Sequence, residues 1–523
     1  MSPTKQDVTV RSPRILDTPT ALFMLAALIF LYAFLFVPPF IPVGSSMGDS
    51  MVYVSDGMRM YEGELIYRDF FQFSTPGTSL VYFLLFKTFG VRLWVPNLSL
   101  LLLGLGLAGI MVVIAKKLMR PGLALLPSAI FLAGIYKNDL NPIHHWYSVL
   151  MALTALAVLM ERRTPARIAT AGFFCGLAIC FTQARGVVVA IGIAAYLWWE
   201  SRARQPGWRD TLRKEAFLVI GLLAILVPMS AYFVWKAGLA RFLWCTIVFG
   251  IKYYPQYGGA NTFLGSLQDF PKYGTLRSFL IPFLQWAFAF VAVPLSYVLF
   301  FARYWRECGN DPGELWERPM LLAMVGSSLF LSIASIPSLA RVALSTLPGI
   351  ILLVWLLDCP RRLAQALTAV LVMGVMLVAS HSAGRFQLNQ NYILRTARGT
   401  IAIPGTLPRE EIAWVQRHAR PGDYFYSSVD PGLYFYADLR NPTPLPFLTN
   451  TGYTTPEQVA EVIRGLEMNH VRYIFWDSQE LGTLSEREKN AARHLSPLRH
   501  YICTHYRLVG SFANLYEFWE RKG

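Results

Sequence analysis

The chain has 523 residues, 54% of them hydrophobic, 14% aromatic and 15% charged, with a formal net charge of +15. A soluble protein of this length carries far more charge, so composition excludes a water-soluble enzyme and puts most of the chain in lipid. The basic balance does not require nucleic acid: Lys and Arg gather in short loops between apolar runs, where they hold those loops in the cytoplasm.

Taken in chain order, apolar runs fall at roughly 20–43, 93–115, 122–137, 146–160, 166–183, 186–200, 215–236, 280–302, 319–337, 340–358 and 362–380. The first is too long for a signal-peptide core and lacks a small-residue cleavage site, so a retained anchor is predicted. A twelfth stretch, Pro76 to Phe89, rises only about 21 Å against a hydrocarbon core of ~30 Å. Charge decides its placement on the surface. With it there, the inner loops hold Lys116, Lys117 and Arg120; Arg162 and Arg163; Arg202, Arg204, Arg209, Arg213 and Lys214; and Arg303, Arg306 and Arg318. The short outer loops then keep only Lys137, Arg185 and Arg341. The prediction is eleven spans with the amino terminus inside.

Between the first two spans, the outer segment 44–92 carries five carboxylates, Asp49, Asp56, Glu62, Glu64 and Asp69. A helix from Asp49 puts positions 49, 53, 56 and 60 on one face and Met51, Val54, Met58 and Tyr61 on the other, which suits a helix lying in the membrane interface. Capping of that helix by Asp49 is compatible with chemistry at the same carboxylate.

The fold class expected is mainly α: a polytopic helical bundle with a small carboxy-terminal extracytoplasmic α/β domain. Its parts are a cytoplasmic amino terminus 1–19, a membrane domain 20–380 and an outer domain 381–523. Within that last part Pro408 to Arg420 and Thr455 to Asn469 read as helices, Asp423 to Ser427 and Val471 to Trp476 as strands, and Leu508 to Trp519 as a hairpin. The outer loop 237–279, rich in Tyr and Gly, is long enough for a lid.

Six cysteines lack metal spacing, and only Cys245 and Cys503 fall outside, which argues against a disulfide framework. His144, His145 and Trp146 form the one notable histidine cluster. Adjacent histidines diverge, so no metal is assigned to them, and sugar or phosphate contact stands beside a plain interfacial role. Nucleotide motifs, glycine-rich phosphate loops and nucleophile triads are lacking, which disfavours a cytosolic nucleotide-sugar donor.

An acid just past the first span, a juxtamembrane helix ending near Gly63, then Tyr67-Arg68-Asp69-Phe70-Phe71 and a Pro-led helix ending at Phe89-Gly90 together resemble a family. The pattern is similar to bacterial GT-C glycosyltransferases of the dolichyl-phosphate-mannose mannosyltransferase type, which include aminoarabinose transferases, over roughly residues 15–300. The resemblance implies a multi-pass protein of the bacterial inner membrane with its carboxy-terminal domain periplasmic. It implies transfer of a sugar from a polyprenyl-phosphate donor to a lipid, glycan or protein acceptor at the outer face.

Catalytic roles carry over to Asp49 and Asp69. Many members have an acidic pair where this chain has Asp49-Ser50, which argues against a two-carboxylate metal site there; a divalent metal is otherwise left open. Members with an acid after the third span have Asn141-Pro142 as their counterpart here, with Asp139 two residues earlier. Substrate contacts are expected from Asp56, Arg68, Lys137, Asp139, His144, His145, Arg185, Lys252 and Arg341. A carboxylate can deprotonate an acceptor hydroxyl, and arginines can stabilise a departing phosphate. The competing class is a transporter or flippase for polyprenyl-linked lipids, or a glycolipid-binding protein. The ionisable residues cluster at the outer rim and no repeat is evident, which favours the enzyme.

Overall fold

A computed structural model describes residues 17–44, 51–204, 207–257, 283–308, 314–333, 339–388, 391–404, 407–484, 493–512 and 515–523. Its first helix, α1 (Thr18–Leu35), begins at Asp17, whose carboxylate accepts from the Thr20 backbone N–H at 3.0 Å. The predicted run 20–43 is helical only to Leu35. Pro38 and Pro39 cannot continue a helix, and the chain turns between β1 (Phe36–Val37) and β2 (Ile41–Pro42).

Next come α2 (Val52–Tyr61), α3 (Gly77–Phe89), α4 (Val95–Ala115) and α5 (Leu126–Ile130), the last running into a π turn at Phe131–Ile135. They are followed by α6 (His144–Leu159), α7 (Pro165–Phe181), α8 (Gln183–Arg204) and α9 (Trp208–Ala237). The loop 237–279 contributes α10 (Leu239–Leu243) and α11 (Phe249–Lys252); its remainder from 258 lies outside the described residues. The bundle is completed by α12 (Phe283–Glu307), α13 (Glu314–Leu331), α14 (Leu339–Ser345), α15 (Leu347–Leu357) and α16 (Arg362–Leu388).

Among the described residues, five helices are long and apolar enough to cross a membrane: 18–35, 95–115, 208–237, 283–307 and 362–380. α6, α7 and α15 are apolar but shorter. Val219, Ile220, Leu223 and Val227 on α9, with Met373, Met376 and Leu377 on α16, are exposed, an apolar surface that lipid solvates and water does not.

The loops read as inner meet at one end of the bundle. Lys116 pairs with Asp17 at 3.0 Å, Lys117 with Glu161 at 2.5 Å, Arg120 with Asp358 at 2.5 Å and Arg163 with Glu317 at 2.7 Å. Helices α7 and α9 approach closely because glycines face each other's backbone. A Cβ on Gly172 would stand 2.1 Å from the Leu218 carbonyl oxygen, and one on Gly221 would stand 1.9 Å from that of Ala169.

At the opposite end sits the small sheet domain. A hairpin of β3 (Asn391–Thr396) and β4 (Gly399–Pro404) precedes α17 (Leu407–His418), β5 (Tyr426–Ser427) and α18 (Gly432–Ala437). Then follow α19 (Pro456–Met468), β6 (Tyr473–Asp477), α20 (Ser478–Leu481), α21 (Ser496–His505), β7 (Tyr506–Phe512) and β8 (Tyr516–Arg521). Four strands form one sheet in the order β5-β6-β8-β7, with β5 parallel to β6 and the other pairs antiparallel. The entry to α19 is a capping box in which Thr455 and Gln458 satisfy each other's backbone N–H.

This domain shares its core with the segment after α1. Gly44 N–H donates to the Ala402 carbonyl at 2.8 Å and Phe71 N–H to that of Pro444 at 2.8 Å. Helix α2 is therefore buried from Val52 to Met60, rather than lying in the interface. Its apolar residues Met51, Val54 and Met58 pack with Tyr82 and Phe86 of α3 and with Leu433 and Phe435 of α18. A protein surface covers the face that an amphipathic pattern alone assigns to lipid.

Candidate functional site

The first turns of α6 and α8 bring His145 and Arg185 together near the domain-covered end. Arg185 is buried, and its Nη1 donates to the Ser148 hydroxyl at 2.9 Å, stands 3.2 Å from His145 Nδ1 and 3.3 Å from the His145 carbonyl. The two adjacent histidine rings have centroids 3.9 Å apart, and His144 lies 4.9 Å from the Tyr53 ring of α2. Arg341, in α14, bonds the Tyr254 hydroxyl through its guanidinium and lies 5.5 Å from that ring. Tyr254 in turn stacks on Phe73 at 4.8 Å, so the loop that follows α9 and the segment after α2 buttress Arg341.

His144 and His145 feel Arg185 and Arg341, and Arg185 feels Arg341. Arg185 Nε and His144 Nδ1 are buried with no hydrogen-bond partner. Two guanidinium groups beside two imidazoles, with donor capacity unused, make an environment that an anion would stabilise.

The remaining expected residues are distributed differently. Asp49 lies outside the described residues. Asp56 is buried on α2, where its Oδ2 accepts from Gln72 Nε2 at 2.8 Å and Ser79 Oγ at 3.0 Å; burial pushes its carboxyl up to about 7. Asp69 is partly exposed: it accepts from Arg68 Nε at 2.9 Å and from the Leu65 backbone N–H at 2.7 Å, and the Arg68 bond holds its carboxyl below the ordinary value. Asp139 accepts from Asn141 at 2.6 Å through Oδ1, leaves Oδ2 buried without a partner, and is pushed up by burial. Lys137 is half-buried, and Lys252 is exposed with its ammonium 5.1 Å over Tyr253.

His144, His145, Arg185 and Arg341 thus converge, whereas Asp56, Arg68-Asp69 and Lys252 make their own separate contacts. Ser148 and Tyr254 join the cluster without having been singled out. Ser148 carries a faint signal, three residues past His145 on the same helix face. Among the described residues, no group of three His, Cys, Asp or Glu is placed to hold a metal ion.

The helical bundle, its covered end and the carboxy-terminal sheet share the fold of solved membrane glycosyltransferases. ArnT from Cupriavidus metallidurans, in a crystal structure bound to undecaprenyl phosphate, superposes with a TM-score of 0.57 at 13% identity, covering 96% of this chain and 97% of that one. The mycobacterial arabinofuranosyltransferase AftD gives 0.52 at 14% identity, covering 97% of this chain and 40% of its own. The Archaeoglobus fulgidus oligosaccharyltransferase, tethered to an acceptor peptide containing the NVT sequon, gives 0.52 at 9% identity, covering 96% and 74%. No family model and no curated protein matches the sequence.

Proposed function

We propose that this protein is a glycosyltransferase that moves a sugar from a polyprenyl-phosphate carrier to an acceptor hydroxyl at the outer face of a bacterial inner membrane. The observation that carries this reading is the gathering of Arg185, whose Nε is buried without a hydrogen-bond partner, and Arg341, held by Tyr254, beside the two histidines in a fold shared with ArnT. The similar ArnT structure holds undecaprenyl phosphate, a ligand whose charged group such a cluster suits.

In this reading the carrier phosphate lies against Arg185 and Arg341. Negative charge grows on it as the glycosidic bond breaks, and guanidinium groups already fixed by Ser148 and Tyr254 stabilise that charge without rearranging. The phosphate is a competent leaving group, so the reaction needs a base more than an acid. Asp49 takes the acceptor proton, an assignment that rests on its place just past α1 in the sequence. One displacement inverts the anomeric centre. Asp69 orients a hydroxyl of donor or acceptor, and the carboxy-terminal domain, sharing its core with the segment after α1, contributes to acceptor choice.

The test is transfer from a panel of radiolabelled undecaprenyl-phosphate sugars into membranes, with wild type, Asp49→Asn and Arg185→Ala at equal expression. Transfer by wild type that collapses in both variants supports the reading and names the donor. Transfer that survives Asp49→Asn removes the base, and lack of transfer from every donor in the panel counts against the enzyme.

A further inference from the structure

A cavity of about 330 Å³ sits where the β1–β2 turn, the α3–α4 connection and the tip of the β3–β4 hairpin meet. Its lining includes Phe40, Arg92, Trp94 and Arg398, and among the described residues it has two arginines but no carboxylate. It shares no residue with the cluster around Arg185.

The position of this cavity matters. α1 ends just before Phe40 and α4 starts just after Trp94, so the cavity lies at the ends of two membrane-length helices. Phe40 and Phe89 are exposed, and both rings lean on Trp94, at 6.1 and 5.4 Å. Exposed aromatics grouped at a helix end mark the polar boundary of a bilayer.

The two arginines have donors to spare. Arg92 is exposed, and its guanidinium makes no ion pair or hydrogen bond to another described residue. Arg398 is anchored by Asp438 and by the Val91 carbonyl at 3.5 Å, yet its Nε is buried without a partner. Planar guanidinium groups that line one cavity match the oxygens of a phosphate. The volume falls at the low end of ligand pockets, roughly 300–1,000 Å³, which suits a headgroup more than a whole lipid.

We propose that this cavity binds the phosphate of an anionic phospholipid headgroup, held by Arg92 and Arg398 with its glycerol end against Phe40 and Trp94. Because Arg398 stands at the hairpin tip, a bound lipid ties the carboxy-terminal domain to the membrane surface. The inference does not rest on the proposed transfer reaction.

Native mass spectrometry of the full-length protein in detergent, titrated with phosphatidylglycerol, with phosphatidylcholine and with inorganic phosphate, tests it. Wild type is expected to retain phosphatidylglycerol in preference to phosphatidylcholine, with inorganic phosphate a weak competitor. Arg92→Ala, an exposed change that leaves folding intact, is expected to weaken phosphatidylglycerol retention roughly tenfold. Arg398→Lys, which keeps the charge and loses the fork, should weaken it as well, while Arg395→Ala on the same hairpin should not. Inorganic phosphate that binds as well as the lipid would keep the phosphate site and overturn its lipid source. Equal retention by wild type and Arg92→Ala would overturn the proposal.

Discussion

Nη1 of Arg185 stands 3.2 Å from Nδ1 of His145, although 40 residues separate the two in sequence. The contact joins the first turns of α6 and α8 and leaves the Arg185 Nε facing its surroundings without a partner. Arg185→Lys should therefore keep the charge and lose the fork that spans Ser148, His145 and a phosphate. Undecaprenyl-phosphate binding is expected to weaken by about tenfold with little change in the melting temperature. Binding by the lysine variant equal to wild type would mean that the cluster does not contact the carrier.

Close packing of α7 on α9 gives a second expectation. Gly221→Val places a branched side chain where even a Cβ would be 1.9 Å from the Ala169 carbonyl oxygen, which the helices cannot accept without separating. Overpacking of this sort costs about 1–3 kcal/mol, and more where backbone must move. The variant should melt several degrees lower in detergent, as scanning fluorimetry would read directly. Gly250→Ala, with open space around its Cβ, should melt with wild type.

Asp69 offers a separation of stability from chemistry. Its ion pair with Arg68 is surface-exposed, and such pairs contribute about 0–1 kcal/mol. Asp69→Asn should leave the melting temperature within a degree or two of wild type and lower sugar transfer by roughly tenfold, because the proposed hydroxyl contact weakens. Unchanged transfer would restrict Asp69 to its pair with Arg68. A fall in both quantities would indicate damage to the turn that its bond to the Leu65 N–H closes.

The bundle is legible in the sequence because a membrane helix must satisfy its own backbone in lipid, which forces long apolar runs with charge confined to the loops. Lys116, Lys117, Arg120 and Arg163 announce one end of the molecule, and their ion pairs meet there. In the carboxy-terminal domain, Thr455-Pro456 announces α19 and the short apolar run Tyr473–Trp476 announces β6. Long-range pairing is harder to read. Nothing local to Val43 signals its bridge to Ala402, and the β3–β4 hairpin is missed for that reason. The apolar face of α2 is visible, but periodicity does not distinguish lipid from the protein surface that covers it. For the site, Arg185 stands out as a cation at the wrong end of a span. Its partners Ser148 and His145 emerge only when α6 and α8 pack.

The carboxylate of Asp56 gives the chain a predictable response to pH. It is buried on α2 and pushed up to about 7 because burial penalises its charged form more than Gln72, Ser79 and Arg59 favour it. An unfolded chain would titrate this group near 4, so between roughly pH 4 and 7 the folded state holds a proton that the unfolded state has released. The stabilisation associated with that proton is complete below about 4, falls as pH rises towards 7, and changes little beyond. The loss is on the order of a few kcal/mol. Both hydrogen bonds reach a single oxygen, Oδ2, so Asp56→Asn can present its amide oxygen to Gln72 and Ser79 with no charge to bury. The variant should therefore match wild type near pH 5, melt higher than wild type at pH 8, and show a flatter profile between. Urea or thermal unfolding followed across that range reads the difference. A profile for Asp56→Asn as steep as that of wild type would place the titrating group elsewhere, and a variant that melts lower at pH 8 would show that the ionised carboxylate is needed by the fold.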